Sequence, residues 1–263
     1  MIMDFKKFTL IAGPCLIEGR DMLRQTAEKL LGATKDRDVN FIFKASYRKA
    51  NRTSDGSFSG IGDEAAIKLL VDIKREFSLP ILTDFHSVRE IEDYSNDIDI
   101  IQIPAFLARQ TDIIEAAAKT GKVLNIKKAQ FMAPEDAIKA AKKAINSGNP
   151  NVLITERGTC FGYHDLVVDF RAISIMKQSG LPIIYDATHS LQQPSIGQES
   201  GGKREFLFPL AKAAIAVGVN GVFFETHPNP SEAKSDSATQ IPLENAESFI
   251  NEIHQLYNYI NAI

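Results

Sequence analysis

Residues 123–157 read VLNIKKAQFMAPEDAIKAAKKAINSGNPNVLITER, and this stretch holds one complete strand, helix and strand. The ends, 123–127 and 152–156, are short apolar runs of the kind a buried parallel strand needs. Between them APEDAIKAAKKAINSG has the marks of a helix. Pro134 suits the first turn, Glu135 and Asp136 complement the dipole, and Gly148 can close the end. The same alternation continues in both directions. Apolar segments rich in Ile, Val and Phe lie at 8–13, 41–45, 80–84, 100–104, 182–186 and 221–225, and FPLAKAAIAVG from Phe208 reads as another crossover helix. Eight strands recurring about every 30 residues, the length of a βα unit, predict a closed (β/α)₈ TIM barrel in one domain, 1–263. An open doubly wound sheet is the alternative, but no Gly-rich dinucleotide fingerprint follows the first strand.

Composition agrees. The chain has 263 residues, 44% hydrophobic and 24% charged, which excludes disordered, collagen-like and coiled-coil classes. Thirty basic against thirty-three acidic residues give a net charge of −3, which argues against nucleic acid or an anionic membrane as the main partner. No run approaches the roughly 18 apolar residues of a membrane span. The opening MIMDFKKFTLIAGP lacks the apolar core of a secretory signal, so a cytoplasmic location is expected. With only Cys15 and Cys160, a disulfide framework is not expected.

In such a barrel the active site lies at the C-terminal strand ends, so the polar residues that end each strand are the informative ones. Here they are Cys15, Lys44, Asp84 with His86, Gln102, Lys127, Glu156 with Arg157, Asp186 with His189, and Glu225 with His227. Closure makes the eighth strand the neighbour of the first. Cys15, His189 and Glu225 then come from contiguous strands, a thiol, imidazole and carboxylate set suited to Zn²⁺ or Fe²⁺ more than Mg²⁺. Asp236 can supply a fourth ligand. The plain alternative keeps Cys15 as a small buried hydrophobe and His189 as a hydrogen-bonded core residue. Lys44, Lys49, Arg52, Lys127 and Arg157 gather on the other side of the ring. Buried cations need an anion, so they point to a phosphorylated or carboxylated ligand or to internal pairing with Asp84, Glu156 and Asp186.

The motifs IAGPC, FKAS with KANRTS, TDFH, IQIPAFLARQTD, NIKKAQF, ITERG, YDATHS, SGGKREF, ETHPNP and KSDSATQIPL occur in order nearly end to end. In them the chain resembles the 3-deoxy-D-manno-octulosonate 8-phosphate synthases, which condense phosphoenolpyruvate with D-arabinose 5-phosphate in lipopolysaccharide biosynthesis. The related DAHP synthases use erythrose 4-phosphate and typically carry a KPRTS-like segment where this chain has KANRT at 49–53. The resemblance implies that Lys44, Ser46, Gln102, Lys127 and Arg157 hold phosphoenolpyruvate. It places the sugar phosphate on Lys49, Asn51, Arg52, Thr53 and Asp84, with Arg109 reaching a neighbouring subunit's site in a homotetramer. Lys49, Asn51, Asp84 and His189 are the catalytic candidates. Cys15 in the first turn, together with Asp236 in SDSATQ, marks the metal-dependent branch. One divalent ion per subunit, Fe²⁺ or Zn²⁺ with Mn²⁺ as a further option, is then expected on Cys15, His189, Glu225 and Asp236. One departure stands out: TSDGSFSG has Ser59 where the family usually has arginine, a contact worth about 1.5–3 kcal/mol when buried. Cys160 is expected to be structural, and His254 to be solvated or packed.

Overall fold

The computed structural model describes residues 4–51, 58–194 and 201–262. Its centre is a parallel barrel of β1 (Phe8–Gly13), β2 (Val39–Lys44), β3 (Ile81–Asp84), β4 (Ile100–Ile103), β5 (Val123–Lys127), β6 (Val152–Glu156), β7 (Ile183–Asp186) and β8 (Gly221–His227). Each strand pairs with the next, and β8 returns to β1 with Gly13 opposite Glu225, which closes the ring. Between the strands run α1 (Arg20–Thr34), α2 (Asp63–Phe77), α3 (Val88–Tyr94), α4 (Thr111–Lys119), α5 (Pro134–Asn146), α6 (Phe170–Lys177) and α7 (Leu207–Val217), and α8 (Ala246–Asn261) follows β8. This is the (β/α)₈ barrel expected from the sequence.

The local chemistry of the elements matches their neighbourhoods. α5 begins with Pro134 at its first turn and carries Glu135 and Asp136 there, while α7 ends on Gly218 in the left-handed conformation, φ 95°. β8 runs two residues past the expected end because Thr226 and His227 pair with the short strand Ile241–Pro242. β2 starts at Val39, two residues before the expected start.

The strands separate two cores. Leu10, Phe43, Ile101, Ile154 and Phe224 face the helices, where they join the large core with Leu30, Leu70, Ile173 and Phe249. Ile11, Ile42, Leu82, Ile100, Leu153, Ile184 and Phe223 form a second cluster inside the ring. The period of two then requires the residues two further along, on the same face, to point inward above this apolar plug. Those residues include Lys44, Asp84, Gln102 and Asp186, and Glu225 lies two past Phe223. The apolar plug is thus the floor of a polar chamber.

The seam between β1 and β8 is closely packed. A Cβ on Gly221 would lie 2.0 Å from the Thr9 carbonyl oxygen, whereas one on Gly32 in α1 meets nothing within 4 Å. Gly221→Ala is therefore expected to destabilise by about 3 kcal/mol or to prevent folding. Gly32→Ala should stabilise by up to about 1 kcal/mol, and denaturant titration of both variants checks the contrast.

Candidate active site

Above the plug lies a cavity of about 980 Å³ at the C-terminal ends of the strands. Lys44, Ser46, Lys49, Asn51, Asp84, Gln102, Lys127, Arg157, His189 and Asp236 all line it, so most of the sequence-selected residues converge there. Cys15 and Glu225 are 1% and 0% exposed and sit just behind that lining. Arg109 lies elsewhere: it is exposed, and its carbonyl accepts from Lys143 Nζ. Arg52 and Thr53 lie outside the described residues. Ser59 is exposed, and among the described residues only its backbone is engaged, the carbonyl accepting from Lys49 N–H at 2.8 Å.

Asp186 organises one wall. Its Oδ1 accepts from the backbone N–H of Thr188 and His189 at 3.0 and 2.9 Å. Its Oδ2 lies 2.8 Å from His189 Nδ1 and also takes an ion pair from Lys127. Burial would raise the Asp186 carboxyl, but His189 and Lys127 outweigh it and hold the group far below the usual range. Lys127 is pushed down to about 8 by burial despite Asp186, with Nζ 3.6 Å from the centre of the Phe223 ring. Lys44 is paired with Glu225, whose carboxyl is held at about 2 because Lys44, His189 and Lys49 overcome its desolvation.

Internal pairing therefore accounts for Lys44 and Lys127, through Glu225 and Asp186, while Glu156 lies 3.5 Å from Lys128. It does not account for the rest. Arg157 is 5% exposed and has one hydrogen bond, from Nη2 to Gln192 Oε1 at 3.1 Å; among the described residues Nη1 has no partner. Lys49 donates to Ser46 Oγ at 3.2 Å. Burial opposes its charge, yet Cys15, Glu225, Asp236 and Asp84 hold it protonated, well above the usual lysine range. A buried guanidinium edge facing a cavity is a place for an anion.

Three of the four metal candidates, Cys15, Glu225 and Asp236, meet at the β1–β8 seam, with His189 beside them and outside the group. Ligand atoms of Cys15, Glu225 and Asp236 lie within 4.8 Å of one another, and the Cys15 thiol donates to Asp236 Oδ2 at 3.1 Å. His189 Nε2 is 3.7 Å from Asp236 and 3.8 Å from Glu225. The donor chemistry fits a divalent ion on three grounds. Glu225 Oε2 is buried with no partner among the described residues. Burial and the two carboxylates push the Cys15 thiol well up, a cost that a cation between them reverses. His189 presents Nε2 while Nδ1 is tied to a carboxylate, the arrangement that orients a ligating imidazole. Asp236 reaches the cluster from a left-handed conformation, φ 50°, with Oδ1 accepting from Gln192 at 2.9 Å.

The opposite wall holds a network whose members were not selected together from the sequence. His86 Nε2 lies 3.1 Å from Asp84 Oδ2, and Nδ1 lies 3.1 Å from Glu90 Oε2. Glu90 also accepts from the His86 backbone N–H, from Tyr47 and from Arg48. Ser87 caps α3 by accepting from Glu90 N–H, so the Ser-x-x-Glu spacing was the available signal for Glu90. Gln192 had none. His227 was a strand-end candidate, but its Nδ1 lies 2.7 Å from the Asn229 carbonyl and it does not line the cavity. Cys160 is exposed rather than packed, and His254 stacks near Phe8 at 6.1 Å.

A closed parallel barrel with a thiol–carboxylate cluster on one side of its mouth and an anion cradle on the other defines a barrel enzyme acting on small anionic substrates. The comparisons with known proteins sharpen this. The model of the DAHP synthetase I family matches residues 3–262. A 2-dehydro-3-deoxyphosphooctonate aldolase of Magnetococcus marinus is 49% identical over 249 residues, 94% of this chain and 87% of that protein. One of Bartonella bacilliformis is 50% identical over 243 residues, 92% and 86%. One of Francisella tularensis subsp. holarctica is 44% identical over 258 residues, 98% and 94%. The chain belongs to the DAHP synthetase I family.

The His86 clamp has a measurable pH signature. Burial would lower its pKa, but Asp84 and Glu90 raise it from 6.5 to about 9. The protonated ring is the form that folding favours. Its contribution is complete below about pH 6.5 and vanishes as pH rises through about 9. Wild type should exceed His86→Gln in unfolding free energy by about 2 kcal/mol at pH 6, with the gap closing by pH 10 in denaturant titrations.

Proposed function

We propose that this enzyme condenses phosphoenolpyruvate with D-arabinose 5-phosphate, giving 3-deoxy-D-manno-octulosonate 8-phosphate and inorganic phosphate, a step of lipopolysaccharide biosynthesis. The relatives' name, 2-dehydro-3-deoxyphosphooctonate aldolase, denotes this enzyme. The observation that carries the substrate reading is the buried, half-unpartnered Arg157 at the cavity wall beside Lys127 and Lys44. A carboxylate or phosphate satisfies it, and phosphoenolpyruvate has both.

C3 of phosphoenolpyruvate is the nucleophile and the sugar aldehyde the electrophile, so two anions that repel each other must be aligned. Arg157, Lys127, Lys44 and Gln102 hold the enolpyruvate, and Lys49, Asn51, Asp84 and the segment with Arg52 and Thr53 hold the sugar phosphate. Such alignment contributes on the order of 7–11 kcal/mol. As the new C–C bond forms, the aldehyde oxygen takes up a proton, water adds at C2, and phosphate leaves with its bridging oxygen. Lys49 is held protonated and is placed to supply a proton, while Asp84 Oδ1, buried and without a partner among the described residues, accepts from a hydroxyl or water. Cys15, His189, Glu225 and Asp236 hold one divalent ion, Fe²⁺ or Zn²⁺ with Mn²⁺ as a further option. When bound, it supplies Lewis acidity and a fixed point of orientation. Residues 1–263 act as one barrel domain in the cytoplasm, and Arg109 completes a neighbour's site in a homotetramer.

The lowered pKa of Lys127 favours a second reading, a Schiff-base aldolase with Lys127 as nucleophile. Phosphate release from phosphoenolpyruvate, measured with arabinose 5-phosphate and in parallel with erythrose 4-phosphate, decides between them. Turnover is expected with the five-carbon sugar alone and without borohydride trapping. Preference for erythrose 4-phosphate would mark a DAHP synthase, covalent trapping the Schiff-base route, and binding without turnover a sugar-phosphate sensor.

Cys15→Ser replaces a soft ligand by a hard one. Metal affinity and kcat should fall together, by about tenfold or more, with the melting temperature close to wild type. Full activity of that variant in chelator would remove the metal from the reaction.

A further inference from the structure

Beneath the cavity, Asn125 and Thr155 are polar, completely buried, and absent from the ion pairs described above. The barrel register explains how they meet. Gln102 stands opposite Asn125, and Lys127 opposite Thr155, so all of them project to the inside of the ring. Thr155 Oγ1 lies 2.5 Å from Asn125 Oδ1, and Asn125 Nδ2 donates to Gln102 Oε1 at 3.0 Å.

The direction of this chain follows from hydrogen-bond inventory. A hydroxyl has one proton to give, and among the described residues Asn125 is the only partner of the Thr155 hydroxyl. If the Asn125 amide were reversed, its NH₂ would face the hydroxyl. The Thr155 proton would then have no acceptor among the described residues at a completely buried position, which buried polar groups avoid. Asn125 therefore accepts from Thr155 and donates to Gln102. Gln102 Oε1 is thereby occupied, and the face of its amide left for the cavity is the NH₂.

We propose that Thr155 and Asn125 are positioning residues that lock the Gln102 carboxamide as a hydrogen-bond donor to an anionic oxygen of phosphoenolpyruvate. This rests on the substrate reading above. An unlocked amide presents its carbonyl oxygen to that anion part of the time, and a ligand offering an N–H at that point is rejected.

The test compares wild type with Thr155→Val, which keeps the shape and removes the hydroxyl, and with Thr155→Ser, which restores it; Thr155→Ala serves if the valine variant does not fold. Phosphoenolpyruvate and arabinose 5-phosphate are titrated separately by calorimetry, alongside turnover and thermal melting. Thr155→Val is expected to bind phosphoenolpyruvate about tenfold more weakly, as for a lost hydrogen bond to a charged group, with sugar phosphate affinity unchanged and Thr155→Ser close to wild type. Wild-type affinity in Thr155→Val, no recovery in Thr155→Ser, or an equal loss for both ligands overturns the lock. A wild type that binds phosphoenolpyruvate without turnover overturns the proposed reaction alone, and the titrations still decide the lock. Failure of wild type to bind phosphoenolpyruvate overturns both.

Discussion

The Asp186 carboxylate ties the two halves of the site together. It is wholly buried and receives two backbone N–H groups, the His189 ring and the Lys127 ammonium. Remove it and Lys127 becomes an unpaired charge on an apolar plug, while His189 loses the contact that aims Nε2 at Glu225 and Asp236. The turn after β7 also loses the oxygen that accepts its backbone. A buried ion pair of this kind adds little to stability compared with apolar residues of the same size. Its value lies in geometry: one carboxylate sets both the Lys127 ammonium at the cavity wall and the His189 imidazole beside Glu225 and Asp236.

The rest of the chamber follows a similar rule. Above Ile11, Ile42 and Phe223 the inward charges are almost wholly buried, so each Lys, Asp or Glu there is stabilised by a partner. Lys44 has Glu225, Lys127 has Asp186, and Asp84 has His86. Arg157 keeps an open edge. An entering anion meets donors already held in place by the surrounding carboxylates and amides, which is the sense in which such a site is preorganised. Among the described residues Arg157 Nη1 and Glu225 Oε2 are buried edges left without a partner on these two sides, one a donor and the other an acceptor.

The barrel was legible because buried parallel strands are apolar on both faces and βα units repeat at a fixed length. The residues at strand ends were legible for the same reason, since an end has a defined place in the ring. Pairing was less so. Nothing in the spacing tells Lys44 on β2 to choose Glu225 on β8, the far end of the barrel in sequence order but next door but one through closure of β8 on β1. Contacts made by loops and helix starts were harder to read: Gln192 follows a 3₁₀ turn with no signal in the sequence, and Glu90, in the first turn of α3, had only its capping spacing from Ser87. Asp236 was a candidate from its place in the loop after β8 and from family likeness, but its approach depends on a left-handed backbone that no local pattern announces.

The thiol–carboxylate cluster depends in turn on the seam. Cys15 follows β1 and Glu225 belongs to β8, and the register that sets Gly13 opposite Glu225 brings the thiol within reach of the carboxylates. That register requires the two strands to approach at the Gly221 end without a side chain between them, since a Cβ there would strike the Thr9 carbonyl. A glycine at the bottom of the barrel therefore governs donor spacing at the top, with Ile11 and Phe223 packed between. Strain introduced at the seam cannot stay local in an interior packed to crystalline density. Cys15 and Glu225 hang directly from that seam, whereas Asp84 and His86 belong to the end of β3 and the turn after it, on the other side of the ring.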